Sequence, residues 1–314
     1  MEGKPGARPL LLPRGDLGST RGGQAAVPGG ETMAGAVSRE GDGPPGRLFV
    51  LSSPEELAKA AAGRLWGIAR ERAMALDRSG KREKGISVAL SGGGTPRRTL
   101  AVLSSEPYRS RFPWDLVHFY QVDERWVSPD DPSSNQRMQR ESLVSRAPVP
   151  PDHFHPVDTS LSDPREGARR YEETLRRAFR ERTGGFPRFD AILLGLGADG
   201  HTASLFPGSP ALREEAAWVA PAEGGAPPVP RVTLTLPVLN AASHVIFLVS
   251  GTEKARVLEE VLSGRGAGLP ASRVSPRRGK ITFLADADAA RRMDAKPPPA
   301  PGRRGEPERK GGAG

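Results

Sequence analysis

Residues 189–209, FDAILLGLGADGHTASLFPGS, constrain the fold more than any other part of the chain. They begin with a continuous apolar run ended by glycine, which is typical of a central parallel strand buried on both faces. A polar loop carrying Asp199 and His201 follows over three glycines. In open α/β sheets, functional residues lie just beyond the carboxyl ends of such strands. The stretch therefore predicts a parallel sheet, with Asp199 and His201 as candidate catalytic residues.

Two other interpretations of this stretch are weaker. The letters GLGADG at 195–200 fit the G-x-G-x-x-G fingerprint of dinucleotide-binding loops. That fingerprint requires a long helix after the glycines, and Pro207 and Pro210 would interrupt one here. A structural, buried His201 is the second alternative. A histidine beside an aspartate in a glycine loop favours a functional role instead.

The pattern of the whole chain indicates one folded domain between two ends of biased amino-acid composition. Apolar strands alternate with amphipathic helices from residue 47 to residue 295. This alternation predicts an α/β domain of the Rossmann-like, doubly wound kind, with a mostly parallel sheet and helices on both faces in three layers. Residues 1–46 and 296–314 are rich in Gly, Pro and Arg without an apolar period, and we predict disordered tails there. Met1 and Met33 are both candidate start residues.

Composition excludes several kinds of chemistry. The 314 residues contain no cysteine, so disulfides, thiolate metal sites and cysteine nucleophiles are excluded. The net charge is +9, but basic and acidic residues interleave, and no aromatic-basic motif or recognition helix predicts a nucleic-acid partner. No apolar run approaches the roughly 18 residues of a membrane span. We expect a cytoplasmic protein without membrane partner or metal, and a monomer is compatible with the sequence.

A glycine loop follows the second predicted strand. Residues 86–90 are apolar and lead into SGGGTP at 91–96, with a helical pattern beyond. Backbone N–H groups at a helix start face outward and favour an anion, so the loop predicts a phosphate cradle, with Pro96 at the first helical position. No Gly-Lys-Ser/Thr follows, so the loop is not of the Walker type. A glycine turn needed only for packing is the alternative.

Charged residues end two further strands. Asp123, Glu124 and Arg125 follow the apolar run 116–122, where a solvated turn is the alternative to a functional site. Lys254 falls in the first helical turn after the strand at 245–249. A cation is unfavourable there unless an anion binds beside it.

Three histidines are interpreted as having no functional role. His118 lies inside the strand at 116–122 and is interpreted as structural. His153 and His155 have the spacing of a shared metal site, but no third ligand is evident. We interpret both as loop residues.

Four separated segments together resemble the 6-phosphogluconolactonases, from about residue 48 to residue 291. The segments are LSGGGTP at 90–96, VDER at 122–125 with SSN at 133–135, GLGADGHTASLFPGS at 195–209, and RVTLTLP at 231–237 with GTEKA at 251–255. The resemblance implies a Rossmann-like αβα fold. It also implies hydrolysis of 6-phosphoglucono-1,5-lactone in the oxidative pentose phosphate pathway, with no cofactor and a small sugar phosphate as the partner.

The resemblance also implies site residues. His201 matches the family's proposed general base, Asp199 would orient it or hold the substrate, and Arg125 would stabilise the oxyanion or position the ring. The sequence leaves open whether Arg231 or Lys254 dominates phosphate binding. The candidate substrate-binding and phosphate-binding residues are Ser91, Gly92, Gly93, Gly94, Thr95, Asp123, Glu124, Asn135, Arg231 and Lys254.

Two other functions remain as alternatives. The glucosamine-6-phosphate isomerases/deaminases, a sister family in the same superfamily, typically have Asp-Glu-Tyr where this chain has Arg125 as the third residue. They also typically continue the histidine motif with Asn-Glu-Pro, where this chain has SLFP at 204–207. A non-enzymatic sugar-phosphate sensor would need a helix-turn-helix, for which residues 1–46 contain too much Gly and Pro. Gly94 departs from the serine that lactonases often carry, without threatening the assignment.

Overall fold

The computed structural model describes residues 36–37, 46–179, 185–225 and 228–293. The β-strands are β1 (Ala36–Val37), β2 (Gly46–Leu51), β3 (Ile86–Leu90), β4 (Val117–Gln121), β5 (Asp123–Arg125), β6 (Phe154–His155), β7 (Ala191–Gly195), β8 (Val219–Gly224), β9 (Val229–Leu234), β10 (His244–Val249) and β11 (Lys280–Asp286). The α-helices are α1 (Pro54–Ser79), α2 (Gly94–Leu103), α3 (Tyr108–Arg111), α4 (Asn135–Gln139), α5 (Pro164–Ala178), α6 (Leu236–Ala241), α7 (Ala255–Leu262) and α8 (Ala287–Ala290). A π-helical turn, Arg140–Val144, continues α4, and the 3₁₀ turns are Arg82–Lys84, Pro151–His153, Pro210–Arg213, Thr252–Lys254 and Pro270–Arg273.

The main sheet is mostly parallel, as predicted. Its strand order among the described residues is β1-β2-β11-β10-β7-β3-β4-β6, and every neighbouring pair is parallel except β1 with β2. The chain winds outward from β3 to β4 and β6, and from β7 to β10 and β11 on the other side. The switch point lies between β3 and β7, where the loops that follow adjacent strands diverge and leave a crevice.

Helices cover both faces of the sheet, which confirms the three-layer architecture. Alternate side chains of β7 point to opposite faces, so Leu193 packs in one core and Ile192 in the other. Leu65 of α1 belongs to the first core, and Leu258 of α7 belongs to the second. These residues are buried, which explains why β7 reads as a continuous apolar run.

The start of the first long helix follows from its sequence. Ser53 precedes α1, and its hydroxyl accepts a hydrogen bond from the backbone N–H of Glu56 at 3.2 Å. Pro54 occupies the first helical position, where a missing N–H costs nothing. The second helix begins two residues earlier than predicted, at Gly94, so Pro96 is its third residue. The shift is tolerated because N–H groups of a first turn have no intrahelical acceptor.

A small antiparallel sheet, β5-β9-β8, was not predicted. Asp123–Arg125 forms a strand here and not a turn, with Arg125 opposite Arg231 in the register. The interpretation of His155 as a loop residue was also wrong. It lies in β6, an edge strand in which it pairs with Tyr120 of β4. Two residues of strand are too few for a period-2 pattern to be detected.

Most of the two predicted tails lies outside the described residues. The exceptions in the N-terminal segment are Gly46, which begins β2, and Ala36–Val37, which pairs antiparallel with Leu48 and Phe49 of β2. This pair lies at the sheet edge beyond β2 and β11, away from the switch point. None of the helices in the described part of the chain has both the length and the apolar composition needed to cross a bilayer.

Candidate active site

A cleft of about 250 Å³ opens at the carboxyl ends of β10, β7, β3 and β4. It brings together segments that are far apart in the chain, because parallel strands present their carboxyl ends at one edge. Eleven of the thirteen predicted site residues line it. They are Ser91, Gly92, Gly93, Gly94, Thr95, Asp123, Arg125, Asn135, His201, Arg231 and Lys254.

The glycine loop forms one wall of the cleft. Gly93 has φ +106°, a conformation that side chains rarely adopt. A Cβ added at Gly92 would lie 1.8 Å from Oδ1 of Asn135, whereas one at Gly94 would meet nothing within 4 Å. The backbone N–H groups of Gly93, Gly94 and Thr95 have no hydrogen-bond acceptor in the described part of the chain. The loop therefore offers free donors at the start of α2, as an anion requires.

Lys254 lies on the β10 side of the same cleft. It ends the 3₁₀ turn Thr252–Lys254 that precedes α7. Its ammonium has no hydrogen-bond or ion-pair partner among the residues that the structure describes. An unpaired cation at a helix start is unfavourable on its own. A bound anion would remove that cost.

His201 and Asp199 form a close pair beyond β7. Nδ1 of His201 lies 2.6 Å from Oδ1 of Asp199, and the His201 backbone N–H donates to the same oxygen at 3.1 Å. Burial raises the pKa of Asp199, but the hydrogen bonds and the charge of His201 outweigh it, so the pKa ends below its ordinary value. An ionised Asp199 holds a proton on Nδ1, which leaves Nε2 of the ring as the free nitrogen.

The backbone around this pair approaches it closely. A Cβ at Gly197 would lie 2.1 Å from Nδ1 of His201 and 2.5 Å from Oδ1 of Asp199. The ring of Phe206 lies 4.5 Å from the His201 ring. Asp199 does not line the cleft, and its side chain is half exposed. The Asp199 carboxylate therefore contacts the His201 ring without lining the cleft.

Two arginines and Asp123 form the wall opposite Lys254. Arg125 and Arg231 are cross-strand neighbours in β5 and β9. Nη1 of Arg125 donates to the carbonyl of Ser133 and, at 3.4 Å, to Oδ1 of Asn135. Arg231 is mostly buried, with Nη1 3.9 Å from Oδ2 of Asp123. Burial lowers the Arg231 pKa and the charge of Asp123 opposes that effect.

Glu124 is the predicted substrate-binding residue that the structure does not bring to the cleft. It is fully buried. Its carboxylate accepts hydrogen bonds from the backbone N–H groups of Arg125, Asn135 and Gln136 at 2.6–2.8 Å, and from Nε2 of Gln121 at 2.7 Å. Successive residues of a strand face opposite sides, so Asp123 and Arg125 face the cleft while Glu124 faces the interior. Glu124 instead anchors the two neighbouring site residues.

Sequence reasoning missed several residues at the site. Ser204 is fully buried, and its hydroxyl donates to Oδ2 of Asp123 at 2.6 Å, which ties the histidine loop to β5. Ala203 lines the cleft with φ +51°, a conformation that is uncommon without glycine. No local pattern in the charged triplet 123–125 marks Glu124 as its buried member. No sequence signal marks the backbone of Ala203.

Fold and site together define a doubly wound α/β protein with a glycine loop, a lysine and a histidine–aspartate pair at one cleft. The chain belongs to the family described as glucosamine-6-phosphate isomerases/6-phosphogluconolactonase, whose model matches residues 52–283. The resemblance seen in the sequence is thus confirmed.

Relatives of known name agree with this family. The 6-phosphogluconolactonase of Rattus norvegicus is 39% identical over 251 residues, covering 79% of this chain and 93% of the relative. The 6-phosphogluconolactonase of Synechocystis sp. is 39% identical over 209 residues, covering 66% of this chain and 84% of the relative.

Solved structures give the same fold. The 6-phosphogluconolactonase from Trypanosoma cruzi superimposes with a TM-score of 0.69 at 30% identity, covering 82% of this chain and all of that one. A monomeric glucosamine-6-phosphate deaminase superimposes with a TM-score of 0.64 at 21% identity, covering 78% of this chain and 98% of that one. The deaminase shows the shared fold alone.

Proposed function

We propose that this protein hydrolyses 6-phospho-D-glucono-1,5-lactone to 6-phospho-D-gluconate, the lactone-opening step of the oxidative pentose phosphate pathway. The observation that carries the proposal is the arrangement of His201 in one cleft with the glycine loop and Lys254, whose N–H donors and ammonium have no partner among the described residues. A phosphorylated lactone needs a base at one end and an anion site at the other, and the names of the relatives agree.

His201 acts as the general base. Its Nδ1–H is held by Asp199, so Nε2 accepts a proton from a water molecule as the water attacks C1 of the lactone. The tetrahedral intermediate then collapses, the bond between C1 and the ring oxygen breaks, and the imidazolium returns the proton to that oxygen. The products are a hydroxyl and a carboxylic acid, which releases its proton to solvent and becomes a carboxylate. No covalent enzyme intermediate is needed, because the lactone is already an activated ester.

Arg125 and Arg231 stabilise the negative charge that develops on the C1 oxygen. They are adjacent across β5 and β9 at the wall of the cleft. Donors that are fixed before the reaction stabilise a developing charge without reorganisation. Arg125 is held by Ser133 and Asn135, and Arg231 by Asp123. Both arginines are therefore positioned in advance.

Lys254 and the glycine loop hold the 6-phosphate, with Lys254 as the dominant cation. The charge of Arg231 is partly offset by Asp123, whereas Lys254 has no acidic partner among the described residues. A phosphate dianion would satisfy both Lys254 and the N–H donors of Gly93, Gly94 and Thr95.

The decisive experiment is a coupled assay of the purified protein with freshly prepared 6-phosphogluconolactone, run beside glucosamine 6-phosphate. We expect rapid lactone hydrolysis and no deamination. Turnover of glucosamine 6-phosphate without lactonase activity would overturn the proposal and favour the isomerase/deaminase alternative.

The phosphate site is tested by Lys254→Ala on two substrates. Loss of one charge-assisted hydrogen bond costs about 1.5–3 kcal/mol, so KM for the 6-phosphate lactone should rise about 10-fold or more. Hydrolysis of unphosphorylated gluconolactone should change much less. Arg98→Ala removes an exposed cation of α2 outside the cleft lining and is the matched control. An equal loss on both lactones would remove Lys254 from the phosphate site.

We also propose that the protein acts as a monomer in the cytoplasm, without nucleic-acid partners. Light scattering during size-exclusion chromatography measures the mass at assay concentration, and cell fractionation tests the location.

A further inference from the structure

The phosphate site depends on a turn that carries Lys254, and one buried carboxylate holds that turn. β10 ends at Val249, and the chain then passes through Ser250 and Gly251 into the 3₁₀ turn Thr252–Lys254. Ser250 and Lys254 both line the cleft. The position of the Lys254 ammonium is therefore set by the path of only a few residues.

Asp286 lies beside this turn at the end of β11. Val249 of β10 pairs with Ala285 of β11, so Asp286 is the residue next to Ser250 across the two parallel strands. Its side chain is buried, with 2% of the residue exposed. Asp286 does not line the cleft. Its effect on a ligand must therefore be indirect.

The Asp286 carboxylate joins two elements. Oδ2 accepts a hydrogen bond from the Ser250 hydroxyl at 2.5 Å, and both oxygens accept from the Gly251 N–H at 3.2 Å. Oδ1 also accepts from the N–H of Ala289 at 2.8 Å, which caps α8. No basic side chain of the described residues lies within 4.0 Å of it. Hydrogen bonds alone thus satisfy this buried carboxylate. Two of the donors, Ser250 and Gly251, lie in the segment that leads into the turn carrying Lys254.

We propose that Asp286 is a positioning residue for phosphate recognition, which acts by fixing the turn that carries Lys254. Gly251 has φ +103°, so the turn has a conformation that few residues adopt and that needs external support. Without the carboxylate, the Ser250 hydroxyl and the Gly251 N–H lose their acceptor. The turn then samples other paths, and the ammonium is no longer held opposite the glycine loop. This inference rests on the proposed lactonase function.

The test combines Asp286→Asn with Lys254→Ala. In Asp286→Asn, KM for the 6-phosphate lactone should rise about 5- to 10-fold, while kcat stays within about 2-fold. Hydrolysis of unphosphorylated gluconolactone should keep its kcat/KM. In the Lys254→Ala background, the same substitution should add less than about 2-fold to KM, because the side chain through which Asp286 acts is gone.

A second variant, Asp286→Ser, keeps the proposal testable if Asp286→Asn does not fold. Asp286→Ser keeps a side-chain oxygen that can cap α8 at Ala289 but is too short to span to Gly251. The same phosphate-specific rise in KM is expected. The matched control is Asp190→Asn, a partly buried carboxylate that accepts hydrogen bonds from Ser87 and lies at the amino ends of the strands. It should lower the melting temperature without changing KM for either lactone.

The outcomes separate this inference from the proposed function. Failure of the wild-type protein to hydrolyse the 6-phosphate lactone would overturn both. Normal wild-type turnover with unchanged KM in both Asp286 variants would overturn the inference alone, as would equal losses on both lactones. Binding of the product 6-phosphogluconate, measured by calorimetry, gives the same comparison without turnover. We expect weaker binding in the Asp286 variants and unchanged binding in Asp190→Asn.

Discussion

At the scale of single residues, the contact between His201 and Asp199 determines which ring nitrogen would act as the base in the proposed mechanism. Asp199 accepts from the backbone N–H and lies 2.6 Å from Nδ1, so the ring cannot turn without losing its partner. The backbone of Gly197 approaches the pair so closely that a side chain at this position would collide with both residues. The glycine loop therefore allows the contact that leaves Nε2 free in the proposed mechanism.

We expect His201→Ala to lower kcat for the lactone about 100-fold or more, the usual scale for loss of a general base. Asp199→Asn should lower kcat by at least about 10-fold, because an amide no longer favours the Nδ1–H form of the ring. KM should change little in both variants, since phosphate binding is left intact. Steady-state kinetics with circular dichroism checks this. Near-wild-type kcat in folded His201→Ala would remove His201 from the mechanism.

The burial of Glu124 could not be predicted from the residues around it in the sequence. The triplet Asp123, Glu124 and Arg125 reads as one charged group at the end of a strand, and nothing in that composition separates the three. The structure places the triplet in a second, antiparallel sheet, where alternate residues face the cleft and the interior. Its partner β9 lies about 100 residues further along the chain. A pairing over that distance has no local sequence signal.

At the scale of elements, the loop between β3 and α2 contains two glycines, Gly92 and Gly94, that differ in how closely a neighbour approaches them. A Cβ at Gly92 would collide with the Asn135 side chain, whose Nδ2 donates to the Asp123 carbonyl at 2.9 Å. A Cβ at Gly94 would meet open space. Both residues belong to the SGGG loop that the sequence identifies as a phosphate cradle. Only the structure shows which glycine is required by a close neighbour.

We therefore expect Gly92→Ala to lower kcat/KM at least about 10-fold, because Asn135 must move and Arg125 loses one acceptor. Gly94→Ser should stay within about 2-fold of wild type, and its hydroxyl lies at the helix start where a phosphate would bind. The two variants are compared by kinetics and melting temperature. Equal losses in both would mean that the loop tolerates no side chain at all and that Asn135 is not the cause.

At the scale of the whole molecule, the sequence predicts the main sheet well and its edges poorly. Buried parallel strands such as β7 and β10 are long apolar runs between glycine loops, so their positions are local properties of the sequence. The edge strand β6 has two residues, and its identity depends on pairing with β4. That pairing brings together three histidines that the sequence separates, His118, His153 and His155.

Two histidines of this cluster, His118 and His155, are partly buried and have lowered pKa values. The ring of His118 lies 3.9 Å from that of His153, and its Nδ1 lies 3.0 Å from Nε2 of His155. Burial, followed by repulsion from His153 and His155, lowers the pKa of His118 to about 4, although Asp152 opposes the shift. Burial also lowers the pKa of His155. The neutral rings of His118 and His155 therefore lie against each other where β6 pairs with β4.

The sign of the resulting pH dependence follows from linkage. A histidine in the unfolded chain titrates near 6.5, so between about pH 6.5 and pH 4 the unfolded state binds a proton at His118 that the folded state does not. Unfolding is favoured as the pH falls through this window. For His118 the free energy of unfolding falls by an amount on the order of 2–3 kcal/mol across this window. Above pH 6.5 the residue is neutral in both states and contributes no dependence.

We expect His118→Phe to reduce this loss, because the variant has no proton to bind at that position. The measurement is the free energy of unfolding by urea for both proteins at several pH values from 7.5 to 4.5. Other groups titrate equally in the two proteins, so the difference between the two curves isolates His118 and its neighbours. The free energy of unfolding of the variant should rise steadily relative to that of wild type as the pH falls below 6.5.

Asp152→Asn should act in the opposite direction, because removing its charge lowers the His118 pKa further and steepens the loss of stability. Parallel curves for wild type and His118→Phe would show that the cluster carries no proton linkage and that β6 is held by packing alone.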